Sequence, residues 1–378
     1  MIYISYYTTP DDQRISSPAA NAKTLSIARA LRKNGHTVDI LSTCTVAKKG
    51  GLIPGRRLRL QEGISCKQYA LINTKIGPLR RLQYWFANFR LFVELLLKAS
   101  KNDNVLFYHA IERSYPVLLA KKIKNFRLIL EVEEIYSNAL TLSEKLTRDE
   151  YRCLQSADAY IFSTVLLNSK IDTDNKPYAI IHGTYEAEPE LERRLEDRIH
   201  VVYAGTLDPV KGGAGFAVEA ARYLDESYHV HILGFGGDEQ VEQIRIQISA
   251  VQNETECRVT YEGCILGEAY SRFIQKCHIG LSTQNAAGLF NDTSFPSKVL
   301  SYMANGLRVV SARLPVLETS AVNEELVYYE RQTAQCIADA IRSVDFHEKY
   351  QPREKIRQLN RGFCEDLNTM LIQLEEYV

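Results

Sequence analysis

The sequence predicts an α/β protein made of two doubly wound domains in tandem. Apolar runs alternate with stretches of helical spacing along nearly the whole chain, as expected of a parallel sheet covered on both faces. The pattern restarts at His200, after the acidic run 186–196. With 378 residues, the chain is also too long for one ordinary domain. Two such domains place a ligand between them, at the carboxyl ends of their strands.

The first cycle opens with a strand from Ile2 to Tyr7 and a polar loop from Thr8 to Ser17. Pro18 suits the first turn of a helix, and Leu25, Ala28 and Leu31 give that helix its apolar spacing. Gly35 stops it, and Val38-Asp39-Ile40-Leu41 begins the next strand. Further strands are expected at Val105–His109, Leu128–Val132 and Ala159–Phe162.

The second cycle begins with a strand over 200–205 and a helix over 214–224. A strand follows at Val230–Leu233, then a helix at Glu239–Val251 and a strand at Arg258–Glu262. A helix at Ala269–Lys276, a strand at His278–Ser282, a helix at Ser297–Ala304 and a strand at Arg308–Ser311 continue the alternation. The expected organisation is a first domain over 1–183, a second over 184–351, and a final helix over 352–378 that packs back on the first.

Composition narrows the function classes. The chain is 45% hydrophobic and 24% charged, which is ordinary for a globular protein. No apolar run approaches the roughly 18 residues of a membrane span, and the first residues do not resemble a signal peptide. A soluble, cytoplasmic protein is expected. The eight cysteines show no zinc-like spacing and suit reduced, mostly buried thiols. Charge is neutral overall but uneven: residues 1–100 carry a balance of +11 and the remainder −11. The basic part should face something anionic. Nucleic acid is not the expected partner, because no groove-reading helix accompanies the charge.

Chemistry concentrates at 291–311, Asn-Asp-Thr-Ser-Phe-Pro-Ser-Lys-Val-Leu-Ser-Tyr-Met-Ala-Asn-Gly-Leu-Arg-Val-Val-Ser. Phe295 and Pro296 lead to a helix start at Ser297, where backbone N–H groups favour a phosphate and Lys298 adds a charge. Tyr203-Ala204-Gly205-Thr206-Leu207-Asp208-Pro209-Val210-Lys211-Gly212 follows a strand in the same way. So do Gly234-Phe235-Gly236-Gly237 and Gly263-Cys264-Ile265.

In order and spacing, these segments resemble glycosyltransferase family 4, whose members have the GT-B architecture of two Rossmann-like doubly wound domains facing across a cleft. The Phe-Pro-Ser-Lys variant is similar to bacterial surface-polysaccharide members. The resemblance implies donor binding by Gly205, Thr206, Lys211, Gly234, Gly236, Cys264, Ile265, Phe295, Pro296, Ser297, Lys298 and Ser301. It also implies a role for His109 near the sugar and acceptor. Glu133 and Glu134, after a strand of the first domain, are acceptor-binding or base candidates, or simply a solvated helix start.

Departures are specific. The two carboxylates that the family spaces eight positions apart fall at Thr293 and Ser301, and the basic residue expected at 206 is threonine. Ala19-Ala20-Asn21 stand where the family has a glycine pair. Asp172-Thr173-Asp174 is a D-x-D read as a solvated turn, so no metal and no other cofactor is expected.

The segment 79–93 is aromatic and basic, with apolar residues at 82, 85, 86, 89 and 93 on one helix face. It either packs in the core with a basic rim or rests on an anionic membrane surface. Core packing is expected for most of that face.

The sequence thus points to a retaining, metal-independent transfer of sugar from a nucleoside-diphosphate sugar, a UDP-sugar above others, to a glycan or lipid-linked glycan in polysaccharide biosynthesis. Its rivals are an inactive scaffold subunit and a sugar-nucleotide epimerase.

Overall fold

The computed structural model describes residues 1–377 apart from 10, 16, 192–196, 210, 211 and 285–292. The chain divides into two compact units, Met1–Thr184 with Arg361–Val378, and Tyr185–Asn360.

The first unit contains β1 (Ile2–Ser5), α1 (Pro18–Lys33), β2 (Val38–Ser42), β3 (Gly51–Ile53), β4 (Arg56–Gln61), β5 (Ile64–Gln68), β6 (Leu71–Asn73) and α2 (Gly77–Lys98). It continues with β7 (Asn104–Tyr108), α3 (Ile111–Lys124), β8 (Arg127–Val132), α4 (Tyr136–Ala139), α5 (Glu144–Gln155), β9 (Ala159–Phe162), α6 (Leu166–Ile171) and β10 (Tyr178–Ile180). Its main sheet runs β10-β9-β8-β7-β1-β2-β5-β4. All pairs are parallel except β4 with β5. Chain order reverses beside β1, which makes the β1–β7 boundary the switch point where a doubly wound sheet offers a ligand crevice.

The second unit contains β11 (Ile199–Thr206), α7 (Gly213–Ala220), β12 (Tyr228–Phe235), α8 (Asp238–Gln252), β13 (Arg258–Gly263), α9 (Gly267–Ile274) and β14 (Ile279–Ser282). Then come α10 (Lys298–Ala304), β15 (Arg308–Ala312), α11 (Pro315–Glu318), β16 (Leu326–Tyr329), α12 (Ala334–Arg342) and α13 (Pro352–Tyr377), the last shared with the first unit. The sheet is parallel throughout, in the order β13-β12-β11-β14-β15-β16.

Local chemistry explains the boundaries. Ser17 Oγ accepts the Ala20 N–H at the start of α1, and Gly35, at φ +88°, turns the chain after it. The shared helix α13 does not belong to the first unit from its first residue. Arg353 donates to the Asn305 carbonyl at 2.7 Å and to Gln275 Oε1 at 3.0 Å, which ties the first turns of α13 to the second unit.

Three expectations need correction. The first strand ends at Ser5 rather than Tyr7, and the helix of the 291–311 segment begins at Lys298 rather than Ser297. The strands β3 to β6 are additional to those expected. The edge strand β4 alternates, with Leu58 and Leu60 half-buried and Arg57 and Arg59 exposed, a charged outer face that suits a sheet edge.

The third correction concerns α2. Its packed stripe runs through Leu91 and Leu95, preceded by Tyr84, whose hydroxyl donates to the Glu112 carbonyl, and Asn88, which accepts from Arg113. The stripe expected to be core is rotated away from it. Leu82 is 66%, Trp85 70%, Phe86 60% and Phe89 63% exposed.

Candidate functional site

In the second unit, the carboxyl ends of β11 and β14 meet α10. Tyr302 of α10 fixes that meeting. Its hydroxyl accepts the Ala204 N–H of β11 at 2.7 Å and donates to the Leu281 carbonyl of β14 at 3.3 Å. The ring lies so close to β14 that a Cβ on Gly280 would stand 2.3 Å from it. Burial pushes the phenol well above its ordinary range, so it stays protonated.

This anchoring sets Lys298 one turn earlier. Its Nζ lies 4.0 Å from the centre of the Tyr203 ring and 3.1 Å from where a Cβ on Gly205 would stand. Two segments 93 positions apart therefore deliver one cation to the carboxyl end of β11. A cation over an aromatic face gains about 0.5–2 kcal/mol. The Tyr203 hydroxyl donates to the Thr206 carbonyl at 3.0 Å, holding the ring under the ammonium.

The other expected donor residues are placed as follows. Gly234 is small for a structural reason, because its Cβ would meet the Gly205 carbonyl oxygen at 2.1 Å. A Cβ on Gly236 would meet Gln240 Oε1, the acceptor of the Gly237 N–H, at 2.5 Å. Cys264 is exposed and Ile265 half-buried, in the connection from β13 to α9. Phe295 is buried, Pro296 half-buried and Ser297 exposed, directly before α10. Ser301 shares a 3.0 Å hydrogen bond with the Tyr270 hydroxyl of α9. Thr293 is buried. Lys211, Asn291 and Asp292 lie outside the described residues.

In the first unit, His109 follows β7 and is 1% exposed. Its ring stacks on Tyr136 at 5.1 Å, with Nε2 3.7 Å from the buried carboxylate of Glu150. Glu150 accepts the backbone N–H groups of Tyr136 and Ser137 at 2.7 and 2.9 Å. Burial pushes the His109 imidazole down to about 4, so it is neutral near pH 7. Glu133 and Glu134, both half-buried, follow β8, and Glu133 pairs with Lys23 of α1. Glu131 turns inward and accepts from the Tyr3 hydroxyl; burial first, then the Glu133 charge, pushes its carboxyl up.

A cavity of about 280 Å³ opens at the β1–β7 switch point, lined among others by Ser5, Tyr6, Asn21, Thr24, Tyr108 and Glu112. Tyr6 donates to the Glu112 carboxylate. The sequence drew attention to Asn21 only as part of an absent glycine pair. A strand-end tyrosine and a first-turn glutamate carried no signal until the topology joined them. A larger concavity, about 1090 Å³, lies at the amino-terminal ends of the same strands, against Met1, Val38, Asn104 and Arg127. That is the wrong end for the ligand crevice of such a sheet. The D-x-D forms a turn in which Asp172 and Asp174 are left-handed, at φ +54° and +51°.

No protein-family model and no curated protein matches the chain. Solved structures do. An α,α-trehalose-phosphate synthase (UDP-forming) from Burkholderia xenovorans, in complex with glucose-6-phosphate, superposes with a TM-score of 0.65 at 11% identity, over 99% of each chain. HepE of Anabaena, in complex with UDP and glucose, gives 0.66 at 14% identity, over 100% of this chain and 99% of that one. These likenesses show the GT-B fold.

Proposed function

We propose that the protein is a glycosyltransferase that moves a sugar from a nucleoside-diphosphate sugar, with a UDP-sugar favoured, to a hydroxyl of a glycan or lipid-linked glycan. The observation that carries this reading is Lys298 at the carboxyl end of β11, beside Gly205 and over Tyr203. The solved structures with UDP or a sugar phosphate support the choice of ligands.

In this reaction the bond between the anomeric carbon and the diphosphate oxygen breaks. The acceptor oxygen forms the new bond and gives up its proton. Charge accumulates on the departing diphosphate, so a fixed cation lowers the barrier. Lys298 supplies that charge, with Lys211 and the backbone around Ser297 as further donors. Glu133 and Glu134 hold the acceptor or receive its proton. His109, beneath Tyr136, is a positioning residue. Retention of configuration and independence from metal complete the proposal.

The acceptor reading draws on two surfaces of the first unit. Hydroxyl, amide and carboxylate groups line the cavity at the switch point. The outward face of α2 joins exposed Leu82, Trp85, Phe86 and Phe89 to exposed Arg80 and Arg81, a pattern suited to an anionic membrane surface. None of the described helices is long and apolar enough to cross a membrane.

The direct test is release of nucleoside diphosphate from UDP-sugars with and without a panel of glycan and lipid-linked acceptors, with the product mass determined. Acceptor-dependent release and a glycosylated product support the proposal. One residue favours a second reading. Ser301 brings a hydroxyl bonded to Tyr270 rather than a carboxylate, which suits a scaffold that binds nucleotide without turnover. Binding with no product across the panel would select the scaffold.

A further inference from the structure

At the amino-terminal half of the second sheet, far from the donor loops, three histidines lie on one face of adjacent strands. His200 of β11 pairs in register with His229 of β12, and His231 follows two residues later on the same face. All three are buried, at 8%, 7% and 6% exposure. One ring nitrogen from each falls within 4.8 Å of the others. From the His200, His229 and His231 cluster we infer a divalent transition-metal site, zinc(II) above others, with a structural role.

The hydrogen bonds around the cluster resemble those that orient metal ligands. His231 Nδ1 donates to Glu262 Oε1 at 2.8 Å, which leaves Nε2 with its lone pair. That Nε2 lies 2.8 Å from His200 Nδ1, so a single proton now bridges the two rings. His229 Nε2 bonds Thr260 Oγ1 at 2.9 Å, leaving its Nδ1 as the ligand atom. The His278 ring accepts the His200 backbone N–H at 2.9 Å and steadies that strand.

A zinc ion about 2.0–2.1 Å from each nitrogen would replace the bridging proton and separate two ligand atoms to roughly 3.3 Å. For the His200 and His231 pair that is a shift of about half an ångström from 2.8 Å, and the His229 nitrogen closes in from within 4.8 Å. Three imidazoles with a water as fourth ligand form a borderline donor set, which selects zinc over magnesium or calcium. His200 is five residues from Gly205, roughly 16 Å along the strand, so the ion cannot touch a donor phosphate. Its work is to tie β11 to β12. The inference does not depend on the proposed sugar transfer.

The test uses the full chain, stripped with chelator and titrated with zinc(II) alone against a chromophoric competitor. We expect a single tight site and a higher Tm with zinc. His229→Gln and His231→Gln should each abolish the site, and Glu262→Gln should weaken it by roughly 10–100-fold. Cys264→Ser, which removes the exposed thiol, should leave it intact. Cobalt(II) on the wild type should give the visible absorption of a nitrogen-rich site of low coordination number, a result independent of how the variants fold. Zinc binding that survives both histidine variants or is lost in Cys264→Ser, or a cobalt complex showing only the hydrated ion, overturns the inference.

Discussion

The Lys298 ammonium lies over the Tyr203 ring, 4.0 Å from its centre, at the strand end where Gly205 leaves space for it. The two residues are 95 positions apart in sequence. Tyr302, bonded to Ala204 and Leu281, brings α10 to the place where they meet.

The first prediction follows from that space. Gly205→Ala puts a methyl group 2.9 Å from the Tyr203 hydroxyl and 3.1 Å from Lys298 Nζ, so the cation must move. The charge is unchanged, yet nucleoside-diphosphate affinity should fall by about tenfold, equivalent to roughly 1.4 kcal/mol. Equilibrium binding with a fluorescent nucleotide measures it, and wild-type affinity would show that the cation's position does not matter.

Gly280→Ala tests the anchor beneath. The added Cβ would stand 2.3 Å from the Tyr302 ring, and either the ring or β14 must give way. Overpacking of this kind costs about 1–3 kcal/mol. A lower Tm together with weaker nucleotide binding is expected. A drop in Tm alone would separate the fold from the site.

Trp85 is the only tryptophan in the chain and stands 70% exposed on the outward face of α2. Its fluorescence should shift to the blue with phosphatidylglycerol vesicles and stay unchanged with phosphatidylcholine. Arg80→Glu with Arg81→Glu should suppress the shift. Equal spectra with both lipids would remove the membrane reading.

Stability should fall in mild acid. Burial places the His109 and His182 imidazoles at about 4 in the folded chain, below the roughly 6.5 of an unfolded histidine. Between these values the unfolded state binds the protons, so the stabilisation is complete above about pH 6.5 and is lost as pH falls toward 4. For His109 it amounts to about 3 kcal/mol at most. Comparing Tm at pH 7.5 and pH 5 for wild type and His109→Gln measures it. The substitution should reduce the pH dependence, and equal slopes would refute the assignment.

The fold was legible because strand and helix periods are strong in both halves, and strand ends such as Val105–His109 were located to within a residue or so. What the periodicity missed was tertiary. The outward stripe of α2 has the same spacing as a buried one, and it is the burial of Leu91 and Leu95, with the Tyr84 and Asn88 hydrogen bonds, that reveals which side packs. Lys298 was identifiable from its loop, whereas its partner Tyr203 looked like an ordinary strand residue. A glycine inside a buried strand was the available sign of close approach, and Gly280 against Tyr302 bears that sign. The histidines of β11 and β12 passed unnoticed because they face one another only when the two strands pair.

The central claim is that Lys298 holds the diphosphate of a nucleotide donor, and calorimetric titration tests it most directly. Wild type and Lys298→Ala would be titrated with UDP, GDP, TDP and ADP without metal. The account predicts selective binding to one nucleotide, UDP first, with affinity about 10–100-fold lower in the variant, as expected for loss of a charge-assisted contact. Equal affinity in both proteins, or binding to none of the four, would contradict it.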